Sequence, residues 1–177
     1  MVEHWPVRTE VFLDSSYSIA LSSSSDSFHE RAVRFANELE AAKTRLVTTR
    51  AVLLELGNAL AKQRYRQAAV KLLNALEADH NVKIVPLSED LYARAVKLYR
   101  ERLDKEWGLT DCVSFVVMQE RGITEALTTD EHFTGYCVDC RTKIVFLPVK
   151  NAFPSSMIYA RSSKQAGFRA LLREDSS

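Results

Sequence analysis

Short apolar runs alternate along this chain with longer segments of helical period, and that alternation restricts the fold more than any other feature. Val11 to Leu13 stops abruptly at Asp14 and a serine-rich stretch, which reads as a buried strand. Phe28, Ala32, Phe35 and Leu39 recur at helical spacing across Phe28 to Ala42, and Arg45 to Thr48 gives a second strand. Thr48 or Thr49 can cap a helix over residues 50–62, where Val52, Leu53, Leu56, Ala59 and Leu60 form one stripe. Residues 67–78 continue the helical pattern through Val70, Leu73 and Leu76 or Leu72. Val82 to Leu87 is a third strand. Ser88, with Glu89 and Asp90 behind it, starts a helix carried by Leu91, Ala95, Leu98, Tyr99 and Arg102 or Leu103. After Gly108, residues 111–120 are apolar nearly all round and end at Gly122, as a buried helix would. Ala126 to Thr129 and Lys143 to Leu147 supply two more strands, with Pro148 closing the last, and Phe168 with Leu171 or Leu172 fits a short helix over 164–173. Strands alternating with helices predict an α/β fold, an open and mainly parallel sheet covered on both faces.

Length and charge limit what such a sheet can serve. The chain has 177 residues, enough for one full-sized domain. No apolar run approaches the roughly 20 residues of a membrane span. The first ten residues lack the apolar core of a signal peptide, so a cytoplasmic protein is expected. Three cysteines without an export signal predict reduced thiols. A net charge of +1 gives no general drive toward nucleic acid, so any RNA affinity must come from local charge. Seven basic residues and no acidic one lie between Arg141 and Arg173.

In an open parallel sheet, ligands bind beyond the carboxyl ends of the strands, so acids immediately after apolar strands are candidates. Asp14 and Asp130 both qualify, with a turn or helix-capping role as the alternative. Asp111 opens the all-round apolar helix, where a buried carboxylate needs capping N–H groups, a base or a metal. Glu55 sits beside its apolar stripe with Ala51 and Ala59 one turn away on either side, a small-residue gap around an inward-leaning carboxylate or a solvated helix face. Gathered together, such acids would repel at about 4 kcal/mol per close ionised pair at an effective dielectric near 20. A divalent cation relieves that cost, and hard oxygen ligands select Mg²⁺ or Mn²⁺. Phosphodiester hydrolysis is the chemistry such a site suits.

The stretches that carry these acids, VFLDSSY, LLELGNAL, LTDCVSF and LTTDEHF, resemble in order and interval the motifs of PIN-domain nucleases, and within them the VapC-like toxins of toxin-antitoxin pairs. The resemblance spans about residues 11–148. It implies a PIN-like three-layer α/β/α fold with a central, mainly parallel sheet of about five strands, and Mg²⁺-dependent endonucleolytic cleavage of RNA. It further implies a homodimer and a small antitoxin partner. Carried over position by position, it gives Asp14, Asp111 and Asp130 direct metal-binding roles and makes Glu55 the residue that orients or activates the attacking water. Asp104 becomes an outer contributor. Ser15, Thr128 and Thr129 are candidates to hydrogen-bond the phosphate or a carboxylate, with ordinary capping as their alternative. The expected organisation is an amino-terminal extension over 1–10, the nuclease domain over 11–148 and a basic tail over 149–177. A catalytically silent PIN-like module that binds RNA or a protein is the rival reading, which an activity assay with and without Mg²⁺ separates.

Other signals are weaker. Cys137 and Cys140 have the spacing of half a zinc site, but no second pair matches them. Lys62, Arg64, Arg66 and Lys71 form either an RNA phosphate surface or a solvated charged face, and Tyr65 either stacks a base or is structural. Only five glycines occur and none follows the first strand in a phosphate-binding loop, which disfavours dinucleotide binding. An aspartyl phosphotransferase would use Asp14 through a covalent intermediate, yet the DSS that follows the strand lacks the second Asp of one such class.

Overall fold

Five parallel strands in the order β3-β2-β1-β4-β5 form the centre of the computed structural model. It describes residues 10–23, 26–130, 132–133 and the backbone of 143–146. The amino-terminal extension up to residue 9, the cysteine pair, the tail beyond 148 and the helix expected over 164–173 lie outside the described residues. The strands are β1 (Glu10–Leu13), β2 (Arg45–Thr49), β3 (Val82–Val85), β4 (Glu125–Thr128) and β5 (Lys143–Phe146). Six α-helices connect the described strands: α1 (Ser15–Ser22), α2 (His29–Ala41), α3 (Arg50–Ala59), α4 (Arg66–Ala78), α5 (Glu89–Glu101) and α6 (Leu109–Arg121). A 3₁₀ turn over Gln63–Tyr65 joins α3 to α4. None of these helices is long and apolar enough to cross a membrane. The PIN-like α/β arrangement expected from the sequence is the one observed.

β1 lies at the middle because it is apolar and needs cover on both faces: Val11, Phe12 and Leu13 are fully buried. It pairs with β2 through Phe12 and Val47 and with β4 through Leu13 and Leu127. The chain order therefore reverses at β1, and the carboxyl ends of β1 and β4 open side by side. α6 meets the expectation of a buried helix, with every residue from Asp111 to Met118 buried. It stops at Gly122, whose φ of 63° is the left-handed conformation that glycine adopts without steric cost. At its far end the Arg121 guanidinium forks onto Glu10 at 2.7 and 3.0 Å, tying α6 to the start of β1.

Local chemistry corrects several expectations. The serine-rich stretch after Asp14 is helical. Asp14 caps it by accepting the Ser16 N–H at 3.3 Å, and the Ser18 and Ser22 hydroxyls bond back to the carbonyls of Asp14 and Ile19. Those bonds hide the polarity that makes serine read as a breaker, while Tyr17, Ala20 and Leu21 are buried. β3 ends at Val85 rather than Leu87, and α3 at Ala59 rather than Lys62. Tyr99 and Leu103 do not extend the buried stripe of α5, being 50% and 89% exposed, and α4 buries Leu72 and Leu76 while leaving Val70 outside. An aromatic cluster ties the chain after β4 to the core. Phe133 is fully buried and meets Phe115 edge-on at 5.0 Å between ring centroids, and Phe115 meets Trp107 at 4.9 Å.

Candidate metal centre

The parallel register of β1 and β4 puts two acid-bearing strand ends in contact. Asp14 donates its backbone N–H to the Leu127 carbonyl at 3.1 Å, so its side chain leaves the sheet beside Thr128. Asp14 is buried, and its Oδ2 accepts three hydrogen bonds, from the Ser16 N–H, the Ser16 hydroxyl at 2.6 Å and the Thr128 hydroxyl at 2.8 Å. Each hydroxyl also accepts a backbone N–H, Ser16 from Thr129 and Thr128 from Asp130, both at 2.9 Å. Having spent their protons on Asp14, the two hydroxyls are satisfied, and the network locks the β4 exit onto the start of α1.

Two further acids arrive on helices. Thr49 ends β2 and caps α3 by accepting the Val52 N–H at 3.2 Å, which fixes the phase that turns Glu55 inward. Glu55 is half-buried, and its Oε2 accepts the Ser15 hydroxyl at 3.1 Å. Asp111, on the first turn of α6, reaches back to the Gly108 N–H with its Oδ2 at 2.8 Å. Capping and clustering therefore coexist there rather than compete. The His132 ring Nδ1 lies 3.3 Å from the same Asp111 oxygen and 3.4 Å from Asp130 Oδ1, which also accepts the His132 N–H at 2.8 Å.

Electrostatics records the convergence. Burial first, then the Asp14 charge, and after them Asp111 and Asp130, raise Glu55 above the ordinary 4.5, against the opposing Ser15 hydrogen bond. Asp111 is raised above 3.8, mainly by burial and also by Asp130 and Asp14, while the Gly108 N–H and His132 pull the other way. Glu55 and Asp111 thus feel the charges of neighbouring acids of the set. Each one also spends a single oxygen on the protein. Among the described residues Asp14 Oδ1, Glu55 Oε1, Asp111 Oδ1 and Asp130 Oδ2 keep no hydrogen-bond partner. Hard carboxylate oxygens, one of each pair held by the protein and the other without a partner, suit a divalent cation. Asp111, Asp130 and His132 offer three ligand atoms within 4.8 Å of one another, a spacing that among the described residues does not extend to Asp14 or Glu55.

Asp104 stands apart from this set. It is exposed and forks onto Arg102 at 2.9 and 3.0 Å, which holds its carboxyl below the usual range. Ser15 and Thr128 bond carboxylates as the sequence reading allowed, whereas Thr129 takes part through its backbone N–H. Ser16 and His132 were not anticipated. Ser16 repeats the capping pattern of a hydroxyl two residues after an acid, and His132 stands two residues after Asp130, the only local signals that pointed to them. Of the basic face, the Arg64 guanidinium lies 4.8 Å over the Tyr65 ring and Arg66 bonds the Ala61 carbonyl, so one face of that ring is already covered.

Comparison with known proteins agrees with this architecture. No match was found among curated protein sequences. Among solved structures, the Mycobacterium tuberculosis toxin VapC20, which cleaves the sarcin-ricin loop, is similar at 26% identity and a TM-score of 0.62, over 73% of this chain and 97% of that one. The profile of the PIN-domain family matches residues 11–138, which takes in β1 through β4 and all four converging acids. A parallel sheet whose central and neighbouring strands deliver carboxylates to one edge, matched by that profile over most of its length, makes the chain a member of the PIN-domain family, a family of nucleases.

Proposed function

We propose that this protein is a metal-dependent endoribonuclease, with Mg²⁺ or Mn²⁺ held by Asp14, Asp111 and Asp130. The observation that carries the reading is the set of four converging acids, each anchored through one oxygen and open at the other. A bound cation supplies Lewis-acid stabilisation of the charge that builds on a phosphodiester as it is hydrolysed. Asp14 is held by three donors and contributes a ligand atom that does not have to be reorganised. Glu55, whose carboxyl already favours the proton more than an ordinary glutamate, orients the attacking water and accepts its proton. His132, with its ring Nδ1 at 3.3 Å from Asp111 and 3.4 Å from Asp130, ties the two carboxylates together. Ser15 steadies Glu55, and Thr128 steadies Asp14.

The similarity to VapC20, a toxin that cleaves the sarcin-ricin loop, supports a toxin role and makes a structured RNA loop the first substrate to try; a small antitoxin partner, a homodimer and a cytoplasmic location complete the proposal. The test is cleavage of RNA by the purified protein with Mg²⁺ and with chelator. The wild type is expected to cut only with the metal. Asp14→Asn and Asp111→Asn are each expected to lower cleavage at least about 100-fold, since losing even an outer partner of a metal ligand costs about 10–100-fold. Full metal-dependent activity in either variant refutes the assignment.

A further inference from the structure

Glu55 faces two surfaces, the acidic cluster and a groove of about 490 Å³ formed by α3, the segment before α5, α5 itself and the start of α6. Cavities of this size hold small organic ligands. Among the described residues Glu55 is the groove's only charged lining residue. Its walls include Leu54, Leu87 and Tyr92, which are 63%, 37% and 49% exposed, and Asn58 and Thr110 add an amide and a hydroxyl. An apolar recess left open by the described residues, with an aromatic wall at the edge of a charged centre, marks an interaction site.

We propose that this groove seats the base of a nucleotide adjoining the phosphate that is cut. The inference rests on the nuclease reading and adds a subsite to it. A phosphodiester held at the acids carries a base on either side, within one nucleotide of the bond that breaks. Among its described lining residues the groove offers no cation to a phosphate. It offers flat apolar walls to a ring and two neutral polar groups to the ring's edge, which is the chemistry of a nucleobase. Tyr92 supplies the stacking face, and such stacking tolerates any base, leaving Asn58 and Thr110 to discriminate among them. The rival occupant is a protein segment, from a second copy or another chain, whose contacts would not depend on a base.

The experiment uses the full chain with Mg²⁺ and a mixed-sequence oligoribonucleotide. Once its cut is mapped, the oligonucleotide is remade with an abasic nucleotide on the 5′ or the 3′ side of that cut. The wild type is expected to lose roughly ten-fold in kcat/KM for one of the two abasic substrates. Tyr92→Ala should lose a similar factor on the intact substrate and no longer distinguish it from the abasic one, while Tyr92→Phe restores the distinction. The wild-type comparison decides the matter even where Tyr92→Ala fails to fold. Equal cleavage of intact and both abasic substrates by a wild type that does cut RNA overturns the subsite and leaves the nuclease reading standing. A Tyr92→Ala protein that slows intact and abasic substrates alike, or changes only its oligomeric state, overturns it in favour of a protein occupant. A wild type that cuts no RNA removes the nuclease reading and the subsite with it.

Discussion

The strand-borne acids and the helix-borne acids of this centre are held by opposite means. Asp14 leaves the sheet under three hydrogen bonds to one oxygen, and Asp130 follows a strand end stitched to α1 by Ser16 and Thr128. Glu55 has a single donor, Ser15, while Asp111 relies on the Gly108 N–H and the approach of His132. Burial and mutual charge raise both helix acids. In the proposed centre the sheet edge would fix where ligand atoms stand, and the helices would bring in the repulsion that a cation relieves.

The sharpest way to break this division is at Glu55. Glu55→Gln keeps the shape and removes the proton acceptor, so cleavage should fall about 10²-fold or more. Metal binding, read by calorimetry, should weaken much less, and equal losses in both would make Glu55 an ordinary ligand. Thr128→Val tests the sheet edge. It removes one of the donors on Asp14 and should cost about 10–100-fold in metal affinity. Unchanged affinity would mean that the hydroxyl network is only packing.

A smaller effect is expected in stability without metal. Glu55 and Asp111 have folded values above the ordinary 4.5 and 3.8, so protonation favours the folded chain. Their contribution is fully present below the unfolded values and is lost as pH rises through the folded ones. Glu10 works in the opposite sense, because the Arg121 fork lowers it. The difference between wild type and Glu55→Gln therefore isolates the cluster. Melted in chelator, the variant should gain stability over the wild type as pH rises from about 4 toward neutrality, each kcal/mol reading as roughly 2–4 °C in Tm. A constant difference across that range would contradict the shift. The smallest effect belongs to Asp104→Asn, which should leave cleavage unaltered, since this acid is engaged by Arg102 at the surface. A large loss of activity there would return Asp104 to the site.

How much of this was legible in the sequence follows from where each residue's partners lie. Asp14 and Asp130 stand out because an apolar run ends at or just before them, and a strand end is a local signal. Glu55 was legible through its flanking alanines, since helix phase is also local. Ser16 was not, because half of its role comes from Thr129, more than a hundred residues away. Asp104 shows the converse: its partner Arg102 is two residues away, and an acid near Asp111 in sequence need not be near it in space. The α1 helix stayed hidden because serine propensity argues against it, while the bonds that satisfy its hydroxyls exist only once the helix has formed.

Phe133 gives the fold one more property. Buried among Phe12 and Phe115, it anchors the short segment that displays Asp130 and His132. A library of variants selected for silence would therefore contain two unlike populations, one at the acids and one at rings that never meet a substrate. The first would stay silent at any temperature, and the second would regain its voice in the cold.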